Sequence, residues 1–229
     1  MAQQTGIANV VERARALGLE PNFPHELAIS LGAVDVSPLN MTQAYVPFAN
    51  QGLGVRPRII TSITDARGRE IYRQDVEHWQ AISPQNAYIM STLLKRVVTA
   101  GTGGRARIEG RVIAGKTGTT NEERDTWFVG FSPYLSTGVY VGYDQVQSLG
   151  RQEQGGRTAA PIFRYYRAEV EGRYPADDFA MPPGIALSEG VAYRTDLPMQ
   201  GMAATGDSTS DSAVAATADD GEELMRQMF

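Results

Sequence analysis

One stretch of the sequence combines residue types and spacing that could do chemistry: Gly110-Arg-Val-Ile-Ala-Gly115-Lys116-Thr117-Gly118-Thr119. From Gly110 to Thr117 it satisfies G-x-x-x-x-G-K-[ST], the loop that wraps nucleotide phosphates, and taken literally it predicts a nucleotide hydrolase. That chemistry needs a flexible loop after a strand and a helix N-terminus behind the lysine, so that amides and helix dipole meet the phosphates. Here the order is reversed. Arg111 to Ala114 have strand character, and Thr117-Gly118-Thr119-Thr120-Asn121 is poor in helix propensity. Lys116 is therefore expected on a strand with a glycine on each side, Gly115 and Gly118, and strand glycines mark close approach by a ligand or another backbone.

Other polar groups have plainer explanations. Thr92-Leu93-Leu94-Lys95 sets a hydroxyl three residues before a lysine, but on a helical pattern where Lys95 is an ordinary surface residue. Glu122-Glu123-Arg124-Asp125 is expected to be a solvated turn, and Asp144 a strand end, although a magnesium ligand for the phosphate-loop reading could be sought there. Trp127, Phe128 and Phe131 are expected in the core rather than as a platform for substrate. The sequence has no cysteine and two histidines, His25 and His78, both in loop-like segments, so no metal and no cofactor are expected.

Net charge is -5, from 21 basic and 26 acidic residues mixed along the chain, which leaves no basic stripe for nucleic acid. With 42% hydrophobic and 21% charged residues the composition is that of an ordinary globular protein. No apolar run approaches the roughly 18 residues of a membrane-spanning helix. The start, Met-Ala-Gln-Gln-Thr-Gly, lacks the basic and apolar regions of a secretory signal.

The elements that must position Lys116 follow from periodicity. Ile7, Val10, Val11, Ala14 and Leu17 fall at helical spacing before Gly18. Ser37-Pro38 and Ser83-Pro84 each place a capping hydroxyl before a proline at the first helical position, opening helices that run to Asn50-Gln51-Gly52 and to Gly101. Ile59–Thr64 and Glu70–Tyr72 flank a glycine-containing turn and form an expected hairpin. Three strand-like runs, Arg111–Thr119, Thr126–Phe131 and Thr137–Tyr143, are joined by connections too short for parallel crossovers, so an antiparallel meander is expected. The middle run is apolar on both faces, as in a sheet covered by helices on both sides, and Ala159–Val170 supplies one such helix. From 193 to 229 Ser, Thr, Ala, Gly and Asp dominate and a disordered low-complexity tail is expected, with residues 1–192 forming the folded part.

Lys-Thr-Gly on a strand is one of three motifs shared by penicillin-binding proteins and serine β-lactamases. Its surroundings strengthen the likeness: Ser37-Pro38-Leu39, Ala44-Tyr45, Phe48-Ala49-Asn50, Gly101-Thr102-Gly103, Ala114 to Thr120, Asp125 to Pro133, Val141 to Asp144 and Ala159-Ala160-Pro161-Ile162-Phe163. In order and spacing they closely resemble the transpeptidase domain of class A, bifunctional penicillin-binding proteins, over roughly Thr5 to Val191. The resemblance implies an α+β fold, an antiparallel sheet flanked by helices, and a peptidoglycan D,D-transpeptidase whose partners are D-Ala-D-Ala stem peptides and β-lactams. It implies a catalytic, electrostatic role for Lys116 and substrate binding by Thr117, Gly118 and Thr119, with the Thr119 N–H as half of an oxyanion hole. None of the twelve serines begins Ser-x-x-Lys or Ser-x-Asn. In the family both motifs precede the helix that here starts near Ile7, so the chain is expected to hold the later part of the domain and to be inactive alone. A noncatalytic module that complements a partner bearing those motifs is the alternative. The full-length family protein would carry a glycosyltransferase and act at the periplasmic face of the bacterial inner membrane.

Overall fold

The structure, a computed structural model, describes residues 2–20, 22–24 and 26–197. Four helices of at least ten residues frame it: α2 (Ile7–Ala16), after the single turn α1 (Ala2–Thr5), then α3 (Pro38–Ala49), α4 (Pro84–Thr99) and α5 (Ala159–Glu171). Ser37 and Ser83 start α3 and α4 in the expected way. Each sits in extended backbone, accepts the amide three residues on (Asn40 or Asn86, both 3.2 Å) and is followed by proline. Pro47 lies inside α3, but only two residues before its end, so a single backbone bond is sacrificed.

Among the described residues, nine strands form four small antiparallel sheets. In chain order they are β1 (Leu53–Val55), β2 (Ser62–Thr64), β3 (Glu70–Arg73), β4 (His78–Gln80), β5 (Ala114–Thr119), β6 (Asp125–Phe131), β7 (Ser136–Gly142), β8 (Ile185–Ser188) and β9 (Val191–Arg194). The principal sheet has the order β5-β6-β7, the expected meander, with Ala114 opposite Phe131, Lys116 opposite Val129 and Thr119 opposite Thr126. β5 begins three residues later than the sequence pattern suggests. Arg111 is drawn instead into a turn, its amide to the Ile108 carbonyl and its guanidinium to the Tyr174 carbonyl at 2.7 Å, while Ile113 is buried before the ladder begins.

Each face of this sheet carries its own core. On one, Phe131 and Ala114 pack with Tyr45 and Phe48 of α3, Leu94 of α4 and Phe179. On the other, Phe128 packs with Phe163 of α5, Val98 of α4, Ala106 and Ile113. Burying side chains of this size stabilises the fold by roughly 1.5–3 kcal/mol each. Two glycines allow the helices to come close: a Cβ on Gly138 would lie 2.0 Å from the Thr42 hydroxyl of α3, and one on Gly130 would lie 2.9 Å from the Phe163 ring of α5. The sheet is thus covered on both sides, as the apolar pattern of β6 requires.

Several elements differ from the sequence reading. His78 is in β4, paired with β1, not in a loop. Trp127 is only half-buried, against Tyr140 at 4.8 Å, whereas Phe128 and Phe131 are fully buried. Tyr193 and Arg194 belong to β9, which pairs with β8. Residues 198–229 of the expected tail, and His25, lie outside the described residues.

Candidate functional site

β5 is an edge strand, and its hydrogen-bond phase decides what the edge offers. The Thr120 amide donates to the Asp125 carbonyl at 3.1 Å, and in an antiparallel pair bonded and non-bonded positions alternate. Gly118 and Lys116 therefore point their backbone groups toward β6, and Thr119 and Thr117 point theirs away. The far side of β6 agrees: the Ser132 amide donates to the Leu135 carbonyl at 3.0 Å, which assigns Thr126, Phe128 and Gly130 to β7 and leaves Asp125, Trp127 and Val129 for β5. The N–H and C=O groups of Thr117 and Thr119 line the open edge.

Side chains approach that edge from both faces. Lys116 leaves β5 on the face of Val129 and Trp127, and its Nζ folds back to donate to the Thr117 carbonyl at 3.1 Å. The ammonium is partly withdrawn from water, and this desolvation lowers its pKa from the ordinary 10.5. Gly118 is next on that face, where a Cβ would press on Trp127 at 3.1 Å, so the strand stays bare between the lysine and the indole. The Thr117 and Thr119 hydroxyls share the opposite face. Thr117 Oγ1 lies 2.7 Å from Thr102 Oγ1, and Thr119 Oγ1 accepts the Gly155 amide at 3.1 Å.

An ammonium, two hydroxyls and an outward backbone N–H along one edge are suited to an anionic, extended peptide end and to charge developing on a carbonyl oxygen. The phosphate-loop reading of Gly110–Thr117 does not hold, because Lys116 is in mid-strand and a further strand, not a helix, follows the turn at Asn121–Glu123. Thr92 and Lys95 are also accounted for: the hydroxyl donates to the Ile89 carbonyl at 2.7 Å and the ammonium pairs with Asp178 at 2.6 Å. Glu122 to Arg124 lie in the expected turn, with Arg124 on Glu122, whereas Asp125 already opens β6, opposite Gly142, and accepts the Tyr140 hydroxyl at 2.7 Å.

Sequence reasoning did not single out Thr102 as a neighbour of Thr117, nor Gly155 and Gly156. The signal available was the glycine pair shortly before α5, since adjacent glycines before a helix often mark backbone passing close to something else.

An antiparallel sheet between helices, with Lys-Thr-Gly-Thr on its open edge, carries one of the three motifs of the class of penicillin-binding transpeptidases and serine β-lactamases, in the strand setting that motif requires. The family described as the penicillin binding protein transpeptidase domain matches residues 7–166, and the chain belongs to it. Penicillin-binding protein 1A of Aquifex aeolicus is 40% identical over 184 residues, 80% of this chain and 25% of that protein. Penicillin-binding protein 1A of Neisseria lactamica is 39% identical over 198 residues, 82% and 24%. The chain thus spans about a quarter of the length of the curated relatives it matches. Among solved structures, penicillin-binding protein 1A of Haemophilus influenzae superposes with a TM-score of 0.72 at 26% identity, covering 81% of this chain and 34% of that one. PonA1 of Mycobacterium tuberculosis shares the fold, with a TM-score of 0.72 at 20% identity, covering 92% and 59%.

Proposed function

We propose that the chain forms the substrate-binding wall of a peptidoglycan D,D-transpeptidase and that the open edge of β5 is that wall. The supporting observation is the outward Thr119 N–H beside the Thr117 and Thr119 hydroxyls and the Lys116 ammonium. A stem peptide ending in D-Ala-D-Ala would lie along the edge with its terminal carboxylate at the two hydroxyls. Its scissile carbonyl would face the Thr119 N–H, which donates to the oxyanion as a serine attacks. That serine, from a Ser-x-x-Lys motif, is not in this sequence. Attack forms the acyl ester and releases terminal D-Ala, and an acceptor amine then takes the acyl group and frees the serine. A β-lactam enters the same cleft, and PonA1 is solved in complex with penicillin V. Lys116 contributes a positive field that favours the anionic ligand and the developing oxyanion. Cross-linking of peptidoglycan places this chemistry on the periplasmic face of the inner membrane.

Fluorescent penicillin tests the assignment. The chain alone should not be labelled. Fused behind the segment of the Aquifex aeolicus relative that precedes its matching region, it should give a labelled serine, and Lys116→Ala in the fusion should slow labelling by about a hundredfold or more, the usual effect of losing an oxyanion-directed charge. A folded fusion that labels equally with and without Lys116 would sink the proposal.

A further inference from the structure

The face of the principal sheet opposite the Thr117 and Thr119 hydroxyls is only partly covered. Lys116 and Gly118 of β5, Asp125, Trp127 and Val129 of β6, and Gly138, Tyr140 and Gly142 of β7 share it, since directly paired residues project to the same side. α3 presses on this face at Gly138. Beyond that point Trp127 is half-buried and Tyr140 is exposed, although rings of this size ordinarily contribute most when they are buried.

The two rings meet at 4.8 Å and 57°. The Tyr140 hydroxyl donates to Asp125 Oδ1 at 2.7 Å and fixes the carboxylate beside them. That hydrogen bond, with lost hydration and the charges of Asp125 and Asp144, pushes the hydroxyl above its ordinary pKa of 10.0 and keeps it a donor. Two glycines clear the ground around the group. A Cβ at Gly118 would press on Trp127 at 3.1 Å, and one at Gly142 would lie 2.3 Å from the Tyr140 hydroxyl and 2.5 Å from Asp125 Oδ1. Asp125 Oδ2 accepts no hydrogen bond among the described residues, and the adjacent Arg124 pairs with Glu122 instead. Two aromatic rings beside a carboxylate with an oxygen to spare suit a primary ammonium on a flexible apolar chain: the rings attract the cation and the carboxylate takes its N–H. An anionic or neutral group would gain neither.

We propose that Trp127, Tyr140 and Asp125 bind the side-chain ammonium of the acceptor peptide. The proposal rests on the transpeptidase reading of the β5 edge. The donor peptide is assigned the edge itself and the hydroxyls on the other face, so it leaves Trp127, one strand behind, uncovered. Both peptides are then held at once, as transfer between them requires. What is bound is the ammonium form. When its proton passes to water the hold of Asp125 weakens, and the neutral amine is released toward the acyl ester.

The test is an NMR titration of the full chain that follows the Trp127 indole N–H, the Gly118 amide and the Thr117 and Thr119 amides. Nα-acetyl-lysine amide, with its free ε-amine, should shift the indole and Gly118, both alone and with excess acetyl-D-Ala-D-Ala on the edge. The Nε-acetylated compound should bind at least about tenfold more weakly, having no charge to offer the carboxylate. Asp125→Asn, which still accepts the Tyr140 hydroxyl, should remove most of that difference, and Trp127→Leu, read at Gly118, should reduce it about threefold. A merely structural disturbance would weaken both compounds alike. Equal binding of the two compounds, or a full preference retained by Asp125→Asn, would overturn the ammonium site and leave the edge reading intact as long as Thr117 and Thr119 respond to acetyl-D-Ala-D-Ala. Displacement of the lysine amide by acetyl-D-Ala-D-Ala would overturn the acceptor assignment. Thr117 and Thr119 amides that ignore acetyl-D-Ala-D-Ala would overturn the edge reading and this inference with it.

Discussion

Lys116 folds back over the edge of β5 to the Thr117 carbonyl, and the water it loses there disfavours its charged form. Because the folded-state pKa lies below the ordinary 10.5, the penalty is fully present at neutral pH and fades as pH rises from the folded value toward the unfolded one. Lys116→Met should therefore raise the melting temperature at pH 7, with the gain shrinking as pH approaches 10.5; a loss of stability at pH 7 would contradict the burial argument. A second charge is buried more deeply and is better supported. Arg167 of α5 donates to Ser132 Oγ at 2.8 Å and to the Leu135 carbonyl at 3.0 Å, pairs with Glu171 and lies over the Phe163 ring at 5.1 Å, which ties α5 to the β6–β7 turn. Burial pulls its pKa down to about 10, so it remains charged at neutral pH. Removing one partner of such a pair strands the other: Arg167→Met should cost about 3–5 kcal/mol in denaturant unfolding. Adding Glu171→Leu should recover most of it. A double variant as unstable as the single one would mean that the loss came from the backbone contacts to the turn.

The helices whose starts combine a serine cap with proline were the most legible elements, because both signals act within one turn and need no tertiary partner. Ser37→Ala and Ser83→Ala should each cost about 1 kcal/mol, and the costs should add, since the caps belong to separate helices. The meander was legible for a similar reason: short connections leave antiparallel pairing as the only geometry. β1 and β4 were not. Each is three residues long, too short to show alternation, and they pair across the intervening β2–β3 hairpin. The β8–β9 hairpin was hidden by its neighbourhood, where the composition already drifts toward that of the tail. Of the site, Lys116, Thr117, Gly118 and Thr119 could be singled out as a strand motif, whereas Thr102 and Gly155 reach them from 15 and 36 residues away, beyond any local pattern. The phase of the β5 edge also required the structure, and amide exchange checks it: Lys116 and Gly118 should be protected, and Thr117 and Thr119 should exchange markedly faster. The reverse order would mean that the outward backbone groups had been assigned to the wrong residues.

The described part of the molecule has to answer whether the segment before α4 and the principal sheet behave as one body, because the edge of β5 is only as well positioned as the packing behind it. Two tryptophans report on the two regions. Trp79 in β4 donates its indole N–H to the Ala16 carbonyl of α2 at 2.7 Å, and its ring fills the space that a side chain at Gly54 in β1 would need. Trp127 lies on β6 beside the proposed site. Between them the connections are continuous. The Gly52 carbonyl accepts the Ala81 and Ile82 amides just before α4, the Ser91 hydroxyl of α4 donates to the Phe48 carbonyl of α3 at 2.8 Å, and α3 presses on β7 at Gly138. α4 also joins the two faces of the sheet, with Leu94 in one core and Val98 in the other. A chain of buried contacts without a break predicts a single cooperative transition. Fluorescence of the Trp79→Phe and Trp127→Phe variants, each with one reporter left, should give the same urea midpoint once each variant's own stability is measured by circular dichroism. Leu94→Ala should lower both midpoints together, by the ~2–5 kcal/mol usual for a buried leucine. If the Trp79 signal melts first and Leu94→Ala leaves it unmoved, the segment from α2 through β4 is a separate unit, and the Lys116 edge is held by the sheet, α4 and α5 without it.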